Sequence, residues 1–205
     1  MLEQRVKPLV VDPGVDGVLG ASVGDYEGWL REMILAHKER SAWSLAKPLG
    51  AMIASATHSL ASRGEWLTDP DCVLLLVPIP SRRRTVRVRG HDPTLRMTRA
   101  AASRLRSQHV AAQALPVLRL RFPVKDSVGL TATQRSRNLD DAFAAVPAAR
   151  GVVTRPRASA RIVICDDVMT TGATVREACA ALALAGLPAS GAVTVAAVGR
   201  LEHSS

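Results

Sequence analysis

The chain has 205 residues, with 27 basic and 18 acidic side chains and a net charge of +9; 47% of it is hydrophobic and 22% charged. At roughly 100–200 residues per domain this is one domain, able to hide about 70% of the surface its unfolded form exposes, and it is not a disordered chain. Aromatic residues make up only 3%, which disfavours a single-strand binder built on base stacking.

In chain order, residues 1–24 read as an N-terminal extension. It carries Glu3, Arg5, Lys7, Asp12 and Asp16 within Met1–Gly20, too many charges for a signal peptide. The remainder, 25–205, reads as one α/β domain. Its first part, 25–63, is expected to be a helical cap. Asp25 would cap a helix with Tyr26, Trp29, Leu30, Met33, Ile34 and His37 on one face, and a second helix covers Leu45 to Ala61. His37 and Lys38 would satisfy the last carbonyls of the first helix. Cys72 to Ile79 is an apolar, branched run, the mark of a strand buried on both faces. Pro80 to Gly90 is a basic loop. Asp92-Pro93 opens a third helix to about Ser107, a capping acid followed by proline in the first turn. His91 reads as a helix-start residue rather than a catalyst.

Ala114 to Arg121 is a second strand. The segment 122–149 is long and irregular, as functional loops are. Arg161 to Cys165 is a third strand, Thr174 to Ala185 a fourth helix closed by Gly186, and Ala192 to Val198 a fourth strand. Ala178 to Gly199 carries no charge, but Gly186, Pro188, Ser190 and Gly191 interrupt it. It therefore reads as helix, turn and buried strand rather than a membrane span. Strands alternating with helices predict a mostly parallel sheet flanked by helices.

The three cysteines, Cys72, Cys165 and Cys179, form no C-x-x-C pair. Their number and spacing suit reduced, buried thiols in the cytoplasm. The excess charge is local: Arg82 to Lys125 holds twelve basic residues and one acid, Asp92, for a net +11, leaving the rest at −2. Such a region attracts polyanions, either nucleic acid or a phosphate-rich small molecule.

The chemistry concentrates in Arg161-Ile-Val-Ile-Cys165-Asp166-Asp167-Val168-Met169-Thr170-Thr171-Gly172-Ala173-Thr174. A buried strand runs into two adjacent carboxylates, and a short Thr/Gly/Ala loop then opens a helix. The loop can turn N–H groups and hydroxyls toward one phosphate at the helix N-terminus, with Gly172 permitting close approach. Paired acids at a strand's carboxyl end suit ribose hydroxyls, or a cation developing at the sugar C1. Close like charges are costly without such a use. The spacing is not that of a Walker A loop or a dinucleotide fingerprint.

Asp166 to Thr174, with the strand before it, resembles the PRPP-binding motif of type I phosphoribosyltransferases. Three other segments resemble the ComF family of competence-associated, phosphoribosyltransferase-like proteins: Tyr26 to Lys38, Val77-Pro-Ile-Pro80 followed by Arg89-Gly90, and Thr133-Gln134-Arg135-Ser-Arg137-Asn138 leading to Ala142-Phe143. Together they reach from about Tyr26 to Val198. The resemblance implies that Asp166 and Asp167 hold the ribose hydroxyls and that Thr170, Thr171, Gly172, Ala173 and Thr174 hold the 5-phosphate. It implies that Ser81, Arg82, Arg83 and Arg89 are candidates for the pyrophosphate, with Mg²⁺ carried on PRPP and no metal ligands from the protein. The segment 122–149 takes the place of a mobile hood, from which Arg135 and Arg137 would reach the leaving pyrophosphate; the same arginines would serve equally as surface charge on a loop. The chain departs from the family in lacking a cysteine-rich zinc ribbon and in reading His91-Asp92-Pro93 after Arg89-Gly90.

The implied activity is transfer of phosphoribose from PRPP to a nitrogen acceptor with release of pyrophosphate. The alternatives are a non-catalytic PRPP or nucleotide sensor, and a competence-type protein that takes single-stranded DNA on its basic segment. Candidate partners are PRPP and pyrophosphate, single-stranded DNA, and a second copy of the chain in a homodimer, with no membrane.

Overall fold

A computed structural model describes residues 9–10, 12–81, 92–121, 143–146 and 159–198. Its centre is a six-stranded sheet. The strands in chain order are β1 (Leu9–Val10), β2 (Leu19–Asp25), β3 (Val73–Pro78), β4 (Ala112–Ala114), β7 (Ala160–Met169) and β8 (Ala189–Ala197). They lie side by side as β1-β2-β8-β7-β3-β4, all parallel except β1. Between β4 and β7 in sequence, β5 (Leu118–Leu120) and β6 (Phe143–Ala145) form a separate antiparallel pair. The helices are α1 (Gly28–Glu39), α2 (Ala46–Arg63), α3 (Pro93–Ser107) and α4 (Ala173–Leu184). The protein is thus α/β, with a mostly parallel sheet flanked by helices.

The central strands carry apolar side chains on both faces, and each face has its own cover. Leu74 and Leu76 of β3 and Val163 and Cys165 of β7 pack under Leu30 and Ile34 of α1, Leu49, Ile53 and Leu60 of α2, and Met97, Ala101 and Leu105 of α3. The alternate residues, Leu75, Val77, Ile162 and Ile164, pack under Val175, Ala178 and Leu182 of α4, with Leu118 and Phe143 of the small β pair. The period of two along the strands and the spacing of three and four along the helices sort the residues in this way. Burying one such Leu or Ile stabilises the fold by about 1.5–3 kcal/mol. Helices α2 and α3 approach closely at Gly50, where an added Cβ would lie 2.5 Å from Ala100 Cβ. The start of α3 is built as its sequence suggests: Asp92 Oδ1 accepts from Leu95 N–H at 3.1 Å, and Pro93 follows in the first turn.

Several elements differ from the sequence expectation. Residues 19–24, assigned above to an N-terminal extension, form β2 together with Asp25, and the strand pairs in parallel with β8 from Leu19↔Gly191 to Asp25↔Ala197. Its glycines and serine hide it from a propensity reading, because burial between neighbours rather than branched side chains makes it a strand. Asp25 ends β2 and does not cap α1; that helix starts at Gly28 behind Glu27, with no side-chain cap. Trp29 is 58% exposed instead of joining Leu30 and Ile34 in the core. The single strand expected over Ala114 to Arg121 is two, because Pro116 has no N–H for a ladder and the chain leaves the main sheet there. Within the expected hood, Phe143–Ala145 is a strand that pairs with Leu118–Leu120, setting Leu120 opposite Phe143. Apart from 143–146, 122–149 lies outside the described residues. Strand β7 does not stop at Cys165 but continues through both aspartates to Met169, paired with Ala197. Among the described residues no helix is long and apolar enough to cross a membrane.

Candidate functional site

The strand order creates one crevice. From β3 the chain passes through α3 and outward to β4. It then returns across β3 to β7, and proceeds through α4 in the opposite direction to β8. The order therefore reverses between β3 and β7, and ligands of open α/β sheets bind beyond the carboxyl ends of strands at such a reversal. Here those ends are Pro78-Ile-Pro-Ser81 and Asp166-Asp-Val-Met169, held level by Pro78↔Cys165 and by Ile79 N–H donating to Cys165 O at 2.9 Å.

Asp166 and Asp167 occupy opposite faces of β7. Asp167 follows Cys165 by two residues and shares its face, under α1 to α3. It is only 9% exposed, yet it is not alone. Lys38 Nζ of α1 lies 2.7 Å from Asp167 Oδ2, and Asp167 Oδ1 accepts from Val168 N–H at 2.9 Å. Asp166 Oδ1 accepts from Asp167 N–H at 2.8 Å. Burial first, and then the neighbouring Asp167 carboxylate, push the Asp166 carboxyl well above the usual range; the Asp167 N–H and the Lys38 charge pull the other way. For Lys38 burial alone would lower the ammonium, but Asp167, with help from Asp166 and Glu39, raises it. The site is thus an ammonium, a carboxylate and a second carboxyl group in close electrical contact.

Lys38 was expected only to settle the end of α1, and sequence reasoning missed this partnership. The available signal was weak: a lysine one turn beyond the buried face of an amphipathic helix. His37 also does something other than expected. Its buried ring sits between Ala42 O (3.3 Å) and Pro93 O (3.2 Å), tying the end of α1 to the start of α3.

The loop Thr170 to Thr174 leads directly from β7 into α4. Gly172 is the N-cap residue, left-handed at φ 70° and ψ 0°, and no side chain caps the helix. The first turn holds no acid, so its N–H groups present partial positive charge to an anion. Thr170 and Thr171 are exposed beside it. The loop is backed by the N-terminal turn: a Cβ on Gly172 would lie 2.6 Å from Pro13 O. Arg176, one turn into α4, donates to Thr171 O at 2.9 Å.

The remaining candidates divide. Ser81 stands at the end of β3, but its N–H and hydroxyl donate to Asp92 at 3.2 and 3.1 Å. Asp92 thereby caps α3 and clasps the two ends of the basic loop. Arg82, Arg83, Arg89 and His91 lie outside the described residues, as do Arg135 and Arg137. Asp166, Asp167 and Thr170 to Thr174 are brought together by β7 and α4. A further feature had no sequence signal. Thr194 of β8 lies in register with Asp166 on one side and Ser22 of β2 on the other. Its hydroxyl is buried without a hydrogen-bond partner among the described residues. No protein-family model matches the chain, and a search of the curated proteins finds no match.

Proposed function

We propose that the chain adopts a type I phosphoribosyltransferase-like fold of the ComF kind, and that it binds PRPP and transfers phosphoribose to a nitrogen acceptor. The observation that carries this reading is the placing of Asp166 to Thr174. Two carboxyl groups and a glycine-hinged helix start share one crevice at the reversal of strand order. A pentose phosphate needs those two things side by side, acceptors for two hydroxyls and donors for one phosphate.

In this reading Asp166 and Asp167 accept the ribose hydroxyls, and the backbone of Thr171 to Thr174 holds the 5-phosphate. The donor set suits a cation carried by the ligand, because Asp167 already has an ammonium on Oδ2. Mg²⁺ bound to the pyrophosphate supplies charge to the leaving group. The chain's contribution is positioning: with the phosphate and both hydroxyls fixed, C1 is held facing the acceptor nitrogen. The C1–O bond to pyrophosphate breaks, the C1–N bond forms, and the acceptor loses its proton. The carboxylates lie where they stabilise positive charge developing on the sugar. The pyrophosphate candidates Arg82, Arg83 and Arg89, and Arg135 and Arg137 of the hood, complete the proposal from sequence alone.

Calorimetric titration with PRPP, with and without Mg²⁺, tests it. Saturable binding that needs Mg²⁺ and disappears in the Asp166→Asn, Asp167→Asn double variant is expected. Normal binding by the double variant would refute the site. Mg–PRPP binding with no pyrophosphate release for any nucleobase would make the protein a sensor rather than a transferase. Steeply salt-dependent binding of single-stranded DNA that survives Asp166→Asn, without PRPP binding, would favour the nucleic-acid reading.

A further inference from the structure

We propose that Lys38 is a positioning residue of this site: its ammonium, seated on Asp167 Oδ2, fixes the carboxyl pair to receive two hydroxyls of an anionic sugar phosphate. The inference rests on the reading just given and deepens it.

The geometry makes the case. Two adjacent acids at the mouth of a buried strand repel each other, so holding them in the charged form that accepts hydroxyls needs a cation beside them. Lys38 supplies that cation at 2.7 Å; its own side chain is 41% exposed, and that of Asp167 only 12%, so solvent screens the pair from the lysine side alone. Asp167 has both oxygens occupied, one by Lys38 and one by Val168 N–H, so its carboxylate cannot rotate freely. Asp166 is held through Asp167 N–H. The three groups therefore act as a unit, oriented by α1.

The surroundings leave Lys38 the main cation for this pair among the described residues. Glu39 lies near Lys38 and adds negative charge. His37 is turned toward Ala42 and Pro93, and Cys165 is a buried thiol beside Thr98. Removing the ammonium should make Asp166 hold its proton to higher pH, and a protonated carboxyl accepts a sugar hydroxyl less well. The loss of binding should then depend on pH, which a loss of packing alone would not produce.

The test compares wild type with Lys38→Gln and Lys38→Arg in two measurements. The first is Mg–PRPP affinity from pH 6 to 8.5. For Lys38→Gln we expect a loss of about tenfold or more at pH 6 relative to wild type, shrinking as the pH rises, with Lys38→Arg restoring most of it. The second needs no ligand: the titration of the Asp166 carboxyl carbon by NMR. Its midpoint should move up in Lys38→Gln and return in Lys38→Arg. The reciprocal variant Asp167→Asn should lower the midpoint of the Lys38 ammonium, so either variant alone reads the pair. A loss of affinity equal at every pH, or an unmoved carboxyl midpoint, overturns the role of Lys38. Wild-type protein that ignores Mg–PRPP overturns the phosphoribose reading instead, and the carboxyl titration then decides the coupling of Lys38 by itself.

Discussion

Replacing Gly172 by alanine tests whether the loop between β7 and α4 is a built site or an ordinary turn. Gly172 sits at φ 70°, where an L-residue costs about 1–2 kcal/mol more than glycine. Its new Cβ would also fall 2.6 Å from Pro13 O, a backbone atom that cannot swing aside as a side chain can. Overpacking of this kind costs about 1–3 kcal/mol. Together the two effects predict a loss of about 2–5 kcal/mol, and at about 2–4 °C per kcal/mol for a chain of this size, a Tm lower by at least about 4 °C. Gly186→Ala is the control: it has φ 76° but nothing within 4 Å of the added Cβ, so only the left-handed cost applies. Calorimetric melts of both variants separate strain from crowding. Mg–PRPP affinity, measured well below either Tm, should fall for Gly172→Ala and hold for Gly186→Ala. Equal losses of stability in the two variants would show that the Pro13 turn does not press on the loop, and the account of its backing would fail.

Three further outcomes follow from single contacts. Burial raises the Asp166 carboxyl, so the folded state binds the extra proton and stability falls as pH rises above the unfolded value near 3.8. Asp166→Asn should therefore be more stable than wild type at pH 7, with the gain vanishing below about pH 4, while losing Mg–PRPP binding; urea titrations across that range check the sign. Asp92→Ala removes the α3 cap and both bonds to Ser81, and should cost about 1–3 kcal/mol in denaturant midpoint analysis, whereas Ser81→Ala should cost less than about 1 kcal/mol. All three thiols are buried, with that of Cys179 pushed up to about 11 by burial and that of Cys165 higher still. A thiol reagent at pH 8 should label none of them in the native protein and all three after unfolding; rapid native labelling would contradict the packing.

The elements legible in the sequence were those whose signal is local. Val73–Pro78 is apolar without interruption, which only a doubly covered strand requires. Asp92-Pro93 is a capping acid and a proline in the order a helix start prefers, and α3 begins there. Leu19–Asp25 was illegible because Leu-Gly-Ala-Ser-Val-Gly-Asp has no strong strand preference of its own. Its place is set by β8, whose backbone N–H and C=O groups on that side pair with it from Leu19↔Gly191 to Asp25↔Ala197. Pro116 is the local signal that separates Ala112–Ala114 from Leu118–Leu120, because a proline cannot donate to a ladder that would run through Ala114 to Arg121.

The site divides along the same line. Asp166 to Thr174 lies within nine consecutive residues, so its chemistry can be read from order alone. Lys38 is 129 positions before Asp167, and only its spacing from the buried Leu30 and Ile34 distinguishes it from a lysine at any helix end. What brings it to Asp167 is the packing of Leu30 and Ile34 onto the sheet, which sets the direction of α1 and so the place where its last turn ends. Thr194 is hidden for the same reason: a threonine in Ala192-Val-Thr-Val reads as a strand residue, and only the strand order sets it in register with Asp166. Strands stand about 4.8 Å apart, so Ser22, Thr194 and Asp166 form a polar row across three strands of an otherwise apolar sheet. A fold gains nothing from an orphaned hydroxyl inside its core. The row lies level with Asp166, at the end of the sheet that carries the acids, so it is beside the crevice that this sheet gives up apolar packing.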